Sequence, residues 1–196
     1  MKLEKLFPAL KYLNIPNAVT SAGLIFGVLA AYHLTRQDLR MSIIFLFFAS
    51  VMDFADGLVA SKLNQQTKFG GYLDTMVDFF TCCIMPIFMV FYLLDYNPLI
   101  IVALIFYSMC GLWRLAYYNV IEADNFTGLP VPGSMMLITI SVWCVFTYGI
   151  PVWVAAVAFF IVGLLMLSKF QLAKYGLWQK VFAGLGLVFL LVVIFS

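Results

Sequence analysis

From Pro98 to Ile121 the chain carries a single charged residue, Arg114, and apolar runs of this kind recur along almost its whole length. A helix of about 20 mostly apolar residues is needed to cross the hydrocarbon core of a bilayer. Runs near 17–35, 41–61, 70–94, 98–121, 133–149, 151–168 and 177–195 predict an all-α fold, a polytopic membrane bundle of six to seven transmembrane helices. The stretch 133–168 is too long for one helix, and Gly149-Ile150-Pro151 is a turn signal that divides it. Alternating strands of about ten residues are absent, which argues against a membrane barrel. Composition agrees: 65% of the 196 residues are hydrophobic and 10% charged, against roughly half and a quarter in soluble domains.

No long linker interrupts the chain, so 1–196 reads as one domain. Residues 1–14 predict a short amphipathic juxtamembrane helix, with Lys2, Lys5 and Lys11 on its wet side. The first apolar run continues into a full span, so no cleavable leader is expected. With seven spans, one set of alternate loops carries Lys2, Lys5, Lys11, Lys62, Lys68, Lys169, Lys174 and Lys180, and the other only Arg36 and Arg40. The bias predicts a cytoplasmic N-terminus. Cys82, Cys83, Cys110 and Cys144 sit inside apolar runs and read as packing residues. His33, the only histidine, ends the first span and reads as structural or interfacial. Nucleic acid is not expected as a partner.

Residues 51–80, VMDFADGLVASKLNQQTKFGGYLDTMVDFF, break the apolar pattern with Asp53, Asp56, Asp74 and Asp78. The first pair is spaced i, i+3 and the second i, i+4, so each pair shares a helical face. Two antiparallel helices joined through 62–69 bring all four acids to one level near the cytoplasmic side. Asp56 and Asp53 then lie roughly 8 and 12 Å from the end of their helix, at about 1.5 Å per residue. Four such charges cost on the order of 10 kcal/mol by insertion scales, before mutual repulsion.

Protonation, as in a proton relay, or a bound cation offsets that cost. An all-oxygen set without His or Cys suits a hard ion such as Mg²⁺, Mn²⁺ or Ca²⁺. Lys62 and Lys68 stand at the rim, where they attract anions. Gly57, Ala60 and Gly70-Gly71 either let the helices pack closely or leave room for a ligand beside the acids.

The order Asp53-x2-Asp56-Gly57-x2-Ala60-Ser61-x8-Gly70-x3-Asp74-x3-Asp78 resembles the signature of the CDP-alcohol phosphotransferases. These integral membrane enzymes move a phosphatidyl or phospho-alcohol group from a CDP-linked donor to an acceptor hydroxyl. All signature positions agree but one: Ser61 stands where the family usually has Arg, with Lys62 beside it. A lysine lacks the planar fork that grips phosphate in two places. The resemblance implies Mg²⁺ or Mn²⁺ as cofactor, two ions held by Asp53, Asp56, Asp74 and Asp78. It also implies Asp78 as the general base. The donor nucleotide would lie against Pro16, Asn17 and Thr20 of the IPNAVT stretch and Asp56, Gly57, Ala60, Ser61, Lys62, Gly70 and Asp74. A homodimer is implied as well.

Two later stretches, CGLWRLAYYNV (110–120) and FTGLPVPGS (126–134), resemble the phosphatidylserine synthase branch, as does LLMLSKF (164–170). Arg114, Leu115, Ala116 and Asn119 match, as do Gly128, Leu129, Pro130 and Pro132; the branch's second Arg is Tyr117 here. The resemblance implies CDP-diacylglycerol as donor and serine as acceptor, with Arg114 and Asn119 binding acceptor or phosphate. Snorkelling, or pairing with a helix-end acid, is the structural alternative for Arg114. Trp113, Tyr117 and Tyr118 keep choline open as acceptor; inositol phosphate and glycerol phosphate rank behind serine. An inactive relative and a cation transporter also remain, although a transporter would spread its acids along a path across the membrane.

Overall fold

The computed structural model of the chain describes residues 7–94, 97–121, 126–169, 171–172 and 177–195. The predicted spans appear as α1 (Ile15–Thr35), α2 (Leu39–Lys62), α3 (Lys68–Leu93), α4 (Pro98–Val120), α5 (Val131–Tyr148), α6 (Val152–Leu167) and α7 (Leu177–Phe195). By length and composition α1 to α5 can each cross a membrane, while α6 and the described apolar part of α7 are shorter. Ile25 and Val28 on α1, Ile105 and Met109 on α4, and Leu187 and Val188 on α7 are exposed. Such an outward face is what lipid, and not water, tolerates. The chain is an integral membrane protein of the helical type.

Local chemistry sets the helix starts. Asn14, Asp38, Thr67 and Asn97 cap α1 to α4, each accepting a backbone N–H of the first turn at 2.7–3.0 Å. Gly149 ends α5 in the left-handed region at φ 64°, which turns the chain into α6 at Pro151. Lys2 and Lys5 lie outside the described residues; of the expected juxtamembrane helix, Pro8–Tyr12 forms a short 3-10 turn. The Tyr12 ring stacks on Phe69 at 4.5 Å and Lys11 lies over it, which pins this turn to the start of α3.

The helix α1 packs along α2 and crosses α3; α4 packs on α6, and α5 on α6 and α3. The short strands β1 (Phe126–Thr127) and β2 (Gln171–Leu172) pair antiparallel across the loops that follow α4 and α6. Inside α3, Phe79–Ile84 widens into a π-helix. Pro86 has no N–H to offer the Cys82 carbonyl one turn earlier. Tyr107, buried on α4, supplies the missing donor at 2.8 Å. The π segment begins directly after Asp78, and so lets the acid-bearing face be set independently of the buried Met85, Met89 and Val90 beyond it. Cys82, Cys83 and Cys110 are buried free thiols, as expected of packing residues. His33 pairs with Asp38 across the α1–α2 turn at 3.2 Å.

Candidate metal centre and ligand cleft

The turn between α2 and α3 returns the chain antiparallel, so the two acid pairs face each other. Carboxylate oxygens of Asp53, Asp56 and Asp74 lie within 4.8 Å of one another. Asp53 is central, since its carboxyl faces both Asp74 and Asp78. Asp78 thus joins the cluster through Asp53 and stands outside the three-carboxylate group. Asp56 is buried, and Thr20 reaches across from α1 to donate its hydroxyl hydrogen to the Asp56 carboxylate. Among the described residues no lysine or arginine pairs with any of these acids. Three carboxylates at this spacing in a membrane span repel one another, and a hard divalent cation is the counter-charge that an all-oxygen donor set fits. The residues present therefore suit a hard divalent cation such as Mg²⁺, Mn²⁺ or Ca²⁺.

Beside the acids opens a cleft of about 400 Å³. Pro16, Asn17 and Thr20 form its α1 wall, Asp56, Gly57 and Ala60 its α2 wall, and Gly70, Gly71 and Asp74 its α3 wall. The two readings of the glycines separate here. A β-carbon on Gly57 or Gly71 would meet no atom within 4 Å, so these residues leave room. A β-carbon on Gly70 would sit 2.8 Å from the Asn17 amide oxygen, so Gly70 serves close packing.

Ser61 and Lys62 are exposed at the end of α2 and do not line the cleft. Asp53 and Asp78 also lie outside its lining. The turn contributes Gln65, Gln66 and Thr67 instead, which the motif pattern did not single out. Thr67 was legible only as a cap, and the glutamines carried no signal.

The branch-specific stretches converge elsewhere. Arg114 is 4% exposed; its Nη1 donates to the Met166 carbonyl at 3.0 Å and its guanidinium lies 4.8 Å over the Tyr118 ring. The Leu129 N–H donates to the Leu165 carbonyl at 2.9 Å, so α4, the 128–130 loop and the end of α6 are tied together. Gly128, at φ 72°, lies so close to Met166 that a β-carbon would collide with its carbonyl. Asn119 turns toward the acids: its Nδ2 donates to Thr75, next to Asp74, at 3.0 Å. Trp113 is 69% exposed, and the face of Tyr118 is taken by Arg114, so no aromatic cage forms from these rings.

Residues 13–192 match the family of CDP-alcohol phosphatidyltransferases. The chain is 32% identical over 140 residues to a CDP-diacylglycerol–serine O-phosphatidyltransferase of Bacillus subtilis, covering 69% of this chain and 77% of that one. A protein of the same name from Methanocaldococcus jannaschii is 29% identical over 87% of this chain and 79% of its own length. A CDP-diacylglycerol–glycerol-3-phosphate 3-phosphatidyltransferase of Aquifex aeolicus is 34% identical over 45% of this chain and 50% of its own.

Proposed function

Because the chain belongs to the CDP-alcohol phosphatidyltransferase family, and is by that membership a membrane phosphatidyltransferase, we propose that it moves the phosphatidyl group of CDP-diacylglycerol to the hydroxyl of serine and releases CMP. The observation that carries the chemistry is the convergence of Asp53, Asp56 and Asp74 within 4.8 Å beside the cleft. Support for serine comes from the two relatives of that name, which align over 69% and 87% of this chain.

Asp53, Asp56 and Asp74 would hold one Mg²⁺ or Mn²⁺, and Asp78 with Asp53 a second. Such ions, when bound, polarise a pyrophosphate and stabilise the charge on departing CMP. Thr20 fixes the orientation of Asp56, as a hydroxyl behind a ligating carboxylate does. The room beside Gly57 and Gly71 takes the donor's cytidine end, walled by Pro16, Asn17, Thr20, Ala60 and Gly70. Ser61 and Lys62 act from outside that lining, Lys62 as a point charge on phosphate.

Asp78 accepts the proton of the serine hydroxyl. The freed oxygen bonds to the phosphorus that carries diacylglycerol, the bond from that phosphorus to the bridging oxygen breaks, and CMP leaves with the electron pair. Arg114 and Asn119 belong to the acceptor side. The lysine distribution supports an N-terminus and acids at the cytoplasmic face; the acyl chains of the donor would lie in lipid, and two copies would form a dimer.

Thermal unfolding of the detergent-purified protein tests the reading. CMP together with Mn²⁺ or Mg²⁺ should raise the midpoint beyond what either raises alone. A response to metal with none to CMP would fit a cation transporter instead.

A further inference from the structure

The helix α2 ends in a way that brings its successor residues back over the cleft. Asn64 adopts φ 52°, its N–H donates to the Ser61 carbonyl at 3.3 Å, and the Gln65 N–H donates to the Ala60 carbonyl at 3.0 Å. This pair of bonds around a left-handed residue is the Schellman turn. It sets the backbone of Gln65 beyond the Ala60 carbonyl, itself one turn of helix past Asp56, and so on the order of 10 Å along the axis from the acids. The distance suits the base of a nucleotide whose phosphates lie at Asp56 and Asp74.

The chemistry at this end of the cleft is neutral. Gln65, Gln66 and Thr67 line it, whereas the charged Lys62 does not. Neutral amides are poor partners for phosphate and good ones for a heterocycle edge. The amide oxygen of Gln65 is moreover buried and makes no hydrogen bond. A buried acceptor without a donor is costly, and a ligand that supplies the donor recovers that cost.

We propose that Gln65 is a specificity residue for the donor nucleotide, its side-chain amide hydrogen-bonding the exocyclic amino group of the cytosine ring. This rests on the reading of the cleft as the donor site. Cytosine presents an amino donor beside a ring-nitrogen acceptor, and a primary amide offers the matching acceptor and donor. The turn at Asn64 holds the Gln65 backbone, so only side-chain torsions remain to turn the amide onto the base when the nucleotide arrives.

The test is a chemical double-mutant cycle. Binding of CMP and of its 4-deamino analogue, the 2-pyrimidinone nucleotide, is measured with Mn²⁺ on the wild-type protein and on Gln65→Leu. Wild type should bind CMP about tenfold more tightly than the analogue, as one good hydrogen bond allows. Gln65→Leu should bind the two alike, and its melting point without nucleotide should not fall, since it removes an unpaired buried acceptor. Gln65→Asn, which keeps the amide but cannot reach, should behave like Gln65→Leu and serves if the leucine variant does not fold. The same tenfold preference in the variants, or wild type binding CMP and analogue equally, overturns the role of Gln65. No CMP binding to wild type at all overturns the donor-site reading itself, a distinct result.

Discussion

The amide oxygen of Asn17 on α1 occupies the place that a side chain at position 70 of α3 would need: a β-carbon there would lie 2.8 Å from it and 3.2 Å from the Thr67 hydroxyl. Asn17 cannot easily yield, because its Nδ2 donates to the Tyr12 carbonyl at 2.7 Å and the residue is buried. The small residues of the motif therefore do two different jobs within one helix turn of the acids.

Alanine substitutions separate those jobs. Gly70→Ala should push Asn17 off Tyr12 and destabilise the protein by about 1–3 kcal/mol, the usual cost of overpacking. Gly57→Ala meets no atom and should gain about 0.5–1 kcal/mol from helix propensity. It should nonetheless weaken CMP binding, because its methyl group enters the cleft. Melting curves with and without CMP and Mn²⁺ check both signs, and the contrast between stability and binding at Gly57 is the informative part.

Asp78 meets the three clustered carboxylates at Asp53 and is not one of the three, and its substitution should reflect that. Asp78→Asn should lower turnover by about 10²–10⁴-fold, the usual contribution of a positioned acid or base. Stabilisation by CMP with metal should be largely retained, because Asp53, Asp56 and Asp74 remain. Turnover close to wild type would remove Asp78 from the role of base.

Arg114 and Gly128 share one contact at the Met166 carbonyl. Gly128→Ala should be destabilising on two counts, its left-handed φ and the collision, and Arg114→Ala because it releases a buried carbonyl. Since both act on Met166, their effects on unfolding should fall short of additive. Steady-state kinetics divides structure from binding at Arg114: a raised KM for serine or donor supports its place on the acceptor side, and unchanged kinetics with lowered stability makes it a staple only.

Much of this was legible along the chain. The predicted 17–35 and 98–121 are found as Ile15–Thr35 and Pro98–Val120, because long apolar runs bounded by caps leave little choice of helix ends. The acid pairs were legible from their i, i+3 and i, i+4 spacing on two joined helices. What escaped was set by partners distant in sequence. The π segment after Asp78 needs Tyr107 on another helix to cover the carbonyl that Pro86 leaves open. Gly57 and Gly70 look alike in sequence, and only the position of Asn17 tells room from contact. Arg114 read as a cation facing the site or as a snorkelling residue, and its hydrogen bond to Met166 joins two motif stretches that no local pattern connects. Gln65 enters the cleft because Asn64 adopts a left-handed turn, which nothing in the apolar periodicity announces.

The most direct measurement is a radiolabel transfer assay on the purified protein with CDP-diacylglycerol and Mn²⁺ or Mg²⁺. Serine, choline, inositol phosphate and glycerol phosphate are offered in parallel. Labelled lipid from serine, abolished by a chelator, is the predicted result. Labelled lipid from another acceptor and none from serine would contradict the proposed reaction.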